Sequence, residues 1–349
     1  MGLYDFTFYD LINRNAVSFK ERDAWFEVDD KRSLTFSEYK AKVDCLSFGL
    51  QKAGIKKGDR IGVLGKNSLE FFLLYGAAAA LGAIMLPINW RLSADEVGYN
   101  LNDCEPKMLF VDKEFQETVE GLKEKLQSVE KYFNLGPGGG EFSDFGSLMD
   151  KQVDFEPAEV STDDGFVIIH TAAVAGKPRG ALLSHGNVLC ADMHVDYICG
   201  LTSQDVHLNV LPLFHVGGLF LATSTFHAGA LNVNVSKFDA EKAVALIAEK
   251  KVSVLIEFPP ILASILDQHE KTGTDISSLR IAAGLETPET IEKYQKVTGG
   301  TFYVLYGQTE TSCIATFGPY NDRPGSAGRT PVSYTHLTLP TKIMPWGWG

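Results

Sequence analysis

Residues 166–187 contain the segment of the chain best suited to holding an anion. An apolar run ending at His170 enters a loop of small residues, 171–176, which leaves through Gly-Lys-Pro-Arg-Gly at 176–180. Small side chains let backbone N–H groups approach a phosphate closely, and a following Lys or Arg adds compensating charge. The segment therefore predicts a phosphate-holding turn, with an ordinary small-residue turn as the alternative.

The sequence of this loop disfavours the usual P-loop nucleotide fold. A Walker loop needs Gly at 171 and Ser or Thr after the Gly-Lys pair, where this chain has Thr171 and Pro178. The sequence also lacks a G-x-S-x-G motif, which marks the nucleophile of many Ser-His-Asp hydrolases, so covalent hydrolase chemistry is not supported.

The loop resembles the phosphate loop of the adenylate-forming superfamily, which includes acyl-CoA synthetases, peptide-synthetase adenylation domains and luciferases. That loop usually reads Thr-Ser-Gly-Thr-Thr-Gly-x-Pro-Lys-Gly. Arg179 stands for its Lys, and four positions match in place: Thr171, Gly176, Pro178 and Gly180. Six other segments resemble the family in order, so that the resemblance spans roughly 5–331: 34–38, 58–63, 87–92, 212–218, 279–288 and 306–310.

The resemblance implies that ATP activates a fatty or aryl carboxylic acid as an acyl-adenylate, which passes to coenzyme A. The catalytic roles fall on Thr171, Arg179 and Glu310. Glu310 would also hold Mg²⁺, which prefers hard oxygen ligands. Residues that would contact the nucleotide lie in the phosphate loop and beside the adenine: Thr171, Ala172, Ala173, Gly176, Lys177, Gly284, Leu285, Glu286, Tyr306, Gly307, Gln308 and Thr309.

His215, Val216 and Gly217 would border the acid, since Pro212-Leu-Phe-His215 resembles the segment beside the acyl pocket. That segment also favours an acyl-CoA synthetase over a peptide-synthetase domain. A packed core imidazole is the alternative for His215, and a purely structural turn is the alternative for Glu286. Two alternatives remain for the whole chain, namely a non-catalytic nucleotide- or acyl-binding module and an adenylation domain that serves a carrier protein.

The chain departs from the family pattern in two ways. Hydroxyl groups are missing at 172, 174 and 175, and each lost hydrogen bond to a charged phosphate would be worth about 1.5–3 kcal/mol. The family's ribose-binding Asp segment and small C-terminal domain have no counterpart in the sequence, and 332–349 reads as a non-native tail. We therefore expect a truncated N-terminal domain that binds nucleotide with little turnover.

Composition sets broader bounds on the function. The 349 residues carry a net charge of −12, which argues against a nucleic-acid surface. Five cysteines without CxxC pairing suggest neither a disulfide framework nor a zinc site, and the other histidines, His170 among them, lack metal-ligand spacing. A cytoplasmic protein without a targeting segment fits best. The uncharged stretch 71–90 imitates a membrane span, but its Gly and Pro residues favour a buried helix, 69–81, followed by a buried strand, 83–88.

Alternating strands and helices indicate an α/β fold with a largely parallel sheet covered on both faces. The resemblance adds two mainly parallel sheets flanked by helices in αβαβα layers, with subdomains of about 1–205 and 206–331. Phosphate loops in such sheets suit strand-to-helix turns, and a helix is predicted from Ser184 to about 199. The sequence pattern after residue 205 predicts strands at 206–211, 230–235, 252–257, 279–283 and 301–306, separated by helices at 217–227, 239–249, 260–270 and 287–297.

Overall fold

Helices cover two mainly parallel sheets in the computed structural model, which describes residues 5–136, 142–149, 155–171 and 177–330. The strands in chain order are β1 (Asp23–Glu27), β2 (Ser33–Thr35), β3 (Arg60–Leu64), β4 (Ile84–Ile88), β5 (Met108–Val111), β6 (Lys131–Asn134), β7 (Gly165–His170), β8 (Gly180–Ser184), β9 (Val206–Asn209), β10 (Leu231–Asn234), β11 (Val254–Glu257), β12 (Ile281–Gly284), β13 (Thr301–Tyr306) and β14 (Thr316–Pro319). The helices are α1 (Phe8–Ser18), α2 (Phe36–Lys52), α3 (Leu69–Leu81), α4 (Ala94–Cys104), α5 (Gln116–Glu120), α6 (His185–Cys199), α7 (Val216–His227), α8 (Ala240–Lys250), α9 (Ile261–Thr272) and α10 (Pro288–Thr298).

The two sheets confirm the predicted α/β architecture. One has six strands in the order β6-β5-β3-β4-β7-β8, and the other has eight in the order β14-β13-β12-β11-β9-β10-β1-β2. Antiparallel pairing occurs only at β7–β8, β1–β2 and β13–β14 among the strands described. Since β1 and β2 join the sheet built by β9–β14, the sheets follow a boundary near residue 205 except for these two strands. The subdomain division itself stays a prediction.

Local sequence signals explain where several helices begin. Ser93 Oγ accepts a hydrogen bond from the Glu96 N–H, and the Glu96 carboxylate accepts one from the Ser93 N–H at 2.8 Å, which forms a capping box at the start of α4. Ser184 and Asn187 make the same reciprocal pair before α6. Such caps satisfy N–H groups that have no partner within the helix.

The uncharged stretch 71–90 forms the predicted buried elements. All 13 residues of α3 are buried, and β4 follows it directly. Within the described ranges, no helix is long and apolar enough to cross a membrane.

A shared aromatic core fixes the two sheets against each other. Trp25 of β1 stacks on Phe72 of α3 with ring centroids 4.6 Å apart, and Phe72 lies 5.6 Å from Phe226 of α7. Phe8 of α1 lies 5.1 Å from Phe166 of β7. Buried aromatic side chains of this size dominate the energy of a core. The two sheets and the helices between them therefore share one hydrophobic core, which fixes the positions of the strand ends.

The phosphate-holding loop differs from the prediction in its setting. It connects β7 to β8, which pair antiparallel, and α6 begins only after β8. Thr171 N–H donates to the Arg179 carbonyl at 3.0 Å, which closes the loop. The expected strand-to-helix turn is therefore wrong, because a second short strand intervenes and makes the segment a hairpin loop.

Candidate active site

The carboxyl ends of neighbouring parallel strands supply most of the candidate site. Strands β11, β12 and β13 run side by side and parallel. Phe258 and Leu285 directly follow β11 and β12, and Tyr306 is the last residue of β13, so all three lie at one edge of the sheet. Ligands in α/β proteins commonly bind outside this edge. A cavity of about 490 Å³, here called cavity A, lies there.

Cavity A brings together ten of the residues that the sequence analysis selected. They come from the end of β7, the start of α7, the turn after β12 and the turn after β13: Thr171, His215, Val216, Gly217, Leu285, Tyr306, Gly307, Gln308, Thr309 and Glu310. Its volume falls in the range of small-molecule sites, about 300–1,000 Å³. The remaining walls are Phe258, Leu305 and Cys313, which the sequence analysis did not select.

The turn after β13 is held by its own backbone. The Gln308 carbonyl accepts hydrogen bonds from the N–H groups of Thr311 and Cys313, both at 3.2 Å. Ser312 and Cys313 have positive φ angles of 55° and 85°, which side-chain-bearing residues adopt at a cost. Such strained turns persist where the surroundings over-determine them, and this one places Thr309 and Glu310 on the cavity wall.

Gly307 is required by the same turn. A Cβ at this position would lie 1.4 Å from the carbonyl oxygen of Cys313. Glycine is the residue that tolerates so close an approach of two backbone segments. Backbone packing therefore explains the glycine in the Tyr-Gly-Gln-Thr-Glu motif.

The Glu310 carboxylate is available to a cation. It is exposed at the cavity wall, and within the part of the chain that the structure describes it makes no ion pair or side-chain hydrogen bond. Among the described residues that line cavity A, it alone is charged at neutral pH. Its oxygens are the hard donors that Mg²⁺ prefers.

The turn after β12 contains three predicted nucleotide contacts, and only one of them lines cavity A. Leu285 lines cavity A and is 51% exposed. Gly284 does not line it; a Cβ there would lie 1.9 Å from the Glu257 carbonyl oxygen, so this glycine serves the contact with β11. Glu286 is half-buried, accepts from the Thr287 N–H at 3.0 Å, and lies close enough to Glu257 to raise the pKa of that carboxyl.

His215 lies at the junction of two cavities and has a defined hydrogen-bonding role. It is the N-cap of α7, and its Nδ1 accepts from the Gly217 N–H at 3.1 Å. The surrounding walls desolvate the ring, which with nearby Arg91 lowers its pKa. A neutral ring whose Nδ1 is an acceptor carries its proton on Nε2. His215 can therefore donate one hydrogen bond from Nε2.

The phosphate-loop residues are divided between cavity A and a second cavity. Thr171 lines both, whereas Lys177 lines only the second, with Nζ 5.1 Å from the Tyr99 ring centroid. Arg179 is exposed and lines neither cavity among those described. The predicted contacts at Ala172, Ala173 and Gly176 lie outside the described residues.

The second cavity, here called cavity B, was not predicted. It measures about 720 Å³ and shares Thr171, His215 and Thr309 with cavity A. Its other walls come mainly from α4 and the segment before it: Pro87, Asn89, Leu92, Asp95, Glu96, Tyr99, Asn100, His170, Lys177, Pro178 and Phe214. The Tyr99 hydroxyl donates to the Pro178 carbonyl at 3.1 Å, which ties α4 to the end of the phosphate loop.

Comparison with known proteins identifies the family. The AMP-binding enzyme family matches residues 12–339. The chain belongs to the AMP-binding enzyme family. The family match confirms the resemblance seen in the sequence, and it extends into the segment 332–339, which lies outside the described residues.

Several curated proteins similar to this chain are named as ligases. It is 31% identical over 324 residues to indoleacetate–CoA ligase of Aromatoleum aromaticum and 30% identical over 322 residues to a fatty acid–[acyl-carrier-protein] ligase of Streptomyces coeruleorubidus. Each alignment covers 90% of this chain and 61% of the relative, so the chain spans about three fifths of their length. AMP-forming acid–thiol ligation is therefore the chemistry of the family.

One solved structure has a similar fold and sequence. The fold matches a Rhodopseudomonas palustris protein assigned to the long-chain-fatty-acid CoA ligases, with a TM-score of 0.90 and 42% identity. The match covers 95% of this chain and 83% of that one. It confirms the prediction of the large N-terminal domain of adenylate-forming enzymes.

Proposed function

We propose that this protein activates a carboxylic acid with ATP, forming an acyl-adenylate in cavity A and passing the acyl group to a thiol. The observation that supports the proposal best is the convergence of Thr171, His215, Thr309 and Glu310 on one cavity from separate parts of the chain. Family membership supports the reaction class, and the residues that line cavity A support this cavity as the place where the reaction occurs.

The activation step needs charge stabilisation more than a protein nucleophile. The acid is a carboxylate near neutral pH, and one of its oxygens forms a bond to the α-phosphorus while the bond from that phosphorus to the bridging oxygen breaks and pyrophosphate leaves. Both reactants are anions, so catalysis depends on positioning and on compensating charge. No proton has to be removed from the acid.

Glu310 would hold the magnesium ion of the nucleotide, because its carboxylate oxygens lie on the cavity wall. Bound Mg²⁺ neutralises phosphate charge in such reactions. Thr171 at the loop entrance, the Thr309 hydroxyl and His215 through its Nε2 proton can donate to phosphate or carboxylate oxygens. Tyr306, which is 51% exposed beside Leu285, offers a flat apolar face for the adenine ring.

The acid would lie against the apolar wall of cavity A. Val216 and Leu305 are buried there, and Phe258 stands with its ring 6.4 Å from His215 and nearly perpendicular to it. Burial of an aliphatic or aromatic tail against these side chains is favourable by about 25 cal/mol per Å². This wall supports a fatty or aryl acid as the substrate class.

Two acceptors are supported by relatives. Indoleacetate–CoA ligase names coenzyme A, and the Streptomyces relative names an acyl carrier protein, at almost equal identity. Coenzyme A is our first candidate, because the named CoA ligases among the relatives include 2-succinylbenzoate–CoA ligase as well. The two acceptors can be distinguished by adding either coenzyme A or an acyl carrier protein to a preformed acyl-adenylate and measuring which of them releases AMP.

The test is carboxylate-dependent exchange of labelled pyrophosphate into ATP, with fatty, arylacetic and benzoic acids. We expect exchange that requires an acid and Mg²⁺, and that falls about 100-fold or more in Glu310→Gln, as for loss of other transition-state charge contacts. Glu289→Gln, an exposed carboxylate on α10 outside both cavities, serves as the matched control. ATP binding with no exchange for any acid would instead favour a non-catalytic binding module.

A further inference from the structure

Three potential metal ligands meet at the edge of cavity B, outside the residues assigned to adenylate formation. Asp103 and Cys104 form the end of α4, and His170 ends β7 directly before the phosphate loop. Their ligand atoms all lie within 4.8 Å of one another. We propose that Asp103, Cys104 and His170 bind a zinc ion through Oδ2, Sγ and Nε2.

The distances between the three donor atoms fit one face of a zinc tetrahedron. Bond lengths of about 2.3 Å to sulfur and about 2.0–2.1 Å to nitrogen and oxygen place tetrahedral ligands about 3.6 Å (S to N), about 3.3 Å (N to O) and about 3.5 Å (S to O) apart. The observed separations are 3.9 Å from Sγ to Nε2, 3.2 Å from Nε2 to Oδ2 and 3.9 Å from Sγ to Oδ2. Each lies within about 0.4 Å of the ideal edge, so small side-chain rotations suffice.

Neighbouring groups pack closely around the three donors. Position 180 is a glycine, and a Cβ there would lie 2.6 Å from Ile168 Cγ2, 3.4 Å from the Cys104 sulfur and 3.6 Å from His170 Nε2. The His170 side chain is 6% exposed, and its buried Nδ1 has no hydrogen-bond partner among the described groups. The ring is therefore held among its neighbours with Nε2 toward the two α4 side chains.

The backbone that carries Cys104 is fixed before any metal binds. Arg60 Nε donates to the Cys104 carbonyl at 2.6 Å, and its Nη2 donates to the Glu105 carbonyl at 2.9 Å. Pre-positioned ligands lower the cost of ordering a site.

The donor types select zinc over the family's magnesium. A thiolate, an imidazole and a carboxylate are all ligands of Zn²⁺, whereas Mg²⁺ prefers oxygen alone. Zinc would displace the thiol proton of Cys104, whereas the imidazole would keep its single proton on Nδ1, so binding releases one proton. Three protein ligands leave the fourth position to water, because Asp103 is exposed to solvent.

A zinc ion here would join α4 to the first residue before the phosphate loop. His170 precedes Thr171, which lines both cavities. The ion would thereby add a link between β7 and α4 to the existing hydrogen bond from Tyr99 to Pro178. This gives the site a positioning role, independent of whether the proposed function is correct.

The experiment is titration of the metal-free full chain with Zn²⁺ by calorimetry, and with Co²⁺ followed by absorbance. We expect one equivalent to bind, with a thiolate-to-cobalt charge-transfer band that disappears in Cys104→Ser. Cys45→Ser, a change of the same kind in α2, should keep both the band and the zinc affinity.

A second variant keeps the test independent of the thiol. Asp103→Asn and Cys104→Ser should each raise the zinc Kd by about 100-fold or more, since even indirect partners of a metal cost 10–100-fold. Unchanged circular dichroism and melting temperature without metal establish that both variants fold. Absence of binding to the wild-type chain, or equal affinity in Cys104→Ser and Cys45→Ser, would overturn the proposal.

Discussion

His215 Nδ1 accepts a hydrogen bond from the Gly217 N–H at 3.1 Å, which gives one imidazole two separate tasks. Nδ1 caps α7, and Nε2 is left to donate into the junction of cavities A and B. The two tasks can be separated by substitution, because Asn caps a helix well but lacks a donor at the position of Nε2.

We expect His215→Asn to retain the wild-type melting temperature while weakening binding of an acyl-adenylate analogue. Loss of one hydrogen bond to a charged oxygen is worth about 1.5–3 kcal/mol, or about 10-fold to 160-fold in Kd. His215→Ala should show the same loss of binding and also lose about 1 kcal/mol of stability with the cap. Calorimetric binding and thermal unfolding check both parts, and equal binding by wild type and His215→Asn would contradict this role.

Gly307 allows a second prediction about the turn that carries Thr309 and Glu310. We expect Gly307→Ala to destabilise the protein by about 3 kcal/mol or more, because its Cβ would collide with the Cys313 carbonyl. Gly273→Ala is the matched control, since a Cβ there meets nothing within 4 Å and its positive φ of 67° is the only penalty. Urea unfolding measures both, and similar losses in the two variants would show that the turn can open.

The buried carboxyl of Glu257 makes stability depend on pH. Burial and then the nearby Glu286 carboxylate raise the pKa of Glu257 from an ordinary 4.5 to about 8. The folded protein therefore keeps a proton that the unfolded chain loses above pH 4.5, so this group's contribution falls as pH rises from about 4.5 to about 8.

We expect Glu257→Gln to remove this contribution. The variant should gain stability relative to wild type between pH 5 and pH 8, and the gain should grow with pH. Melting temperatures measured at several pH values test this, with the exposed Glu249→Gln as control. Parallel pH profiles for wild type and Glu257→Gln would contradict the buried, protonated carboxyl.

Glu310 supports a prediction about magnesium. We expect Glu310→Gln to weaken the Mg²⁺ dependence of nucleotide binding while leaving the melting temperature of the ligand-free protein unchanged, because the exposed carboxylate makes no internal ion pair among the described residues. Nucleotide titrations with and without Mg²⁺ check it, beside Glu289→Gln. The same Mg²⁺ effect in both variants would remove Glu310 from the site.

The sequence predicted the elements with strong local signals. Strand 301–306 has the predicted bounds, and α6 begins directly after Ser184, where the sequence predicts its start. Strand β8 was missed because Gly180–Ser184 is short and follows a loop rich in turn residues. Its antiparallel pairing with β7 turned the expected strand-to-helix loop into a hairpin.

The site was predicted only where the family resemblance reached. Thr309 and Glu310 were selected from their motif and line cavity A, whereas Phe258, which also lines it, was not selected because its place depends on the lateral order of β11 and β12. That residue follows a predicted strand, so the carboxyl-edge rule could have selected it. Cys104 and His170 lie 66 residues apart, and only the fold brings them within 3.9 Å.

The central claim is that cavity A holds the acyl-adenylate, and binding of a non-hydrolysable acyl-adenylate analogue to the full chain tests it most directly. We expect one analogue to bind per chain, with Tyr306→Ala and Thr309→Ala each weakening binding about 10-fold or more through lost stacking and a lost phosphate hydrogen bond. Tyr197→Ala, an exposed position on α6, should bind as wild type does. No binding by the folded wild-type chain, or equal binding by Tyr306→Ala and Tyr197→Ala, would contradict the assignment of cavity A.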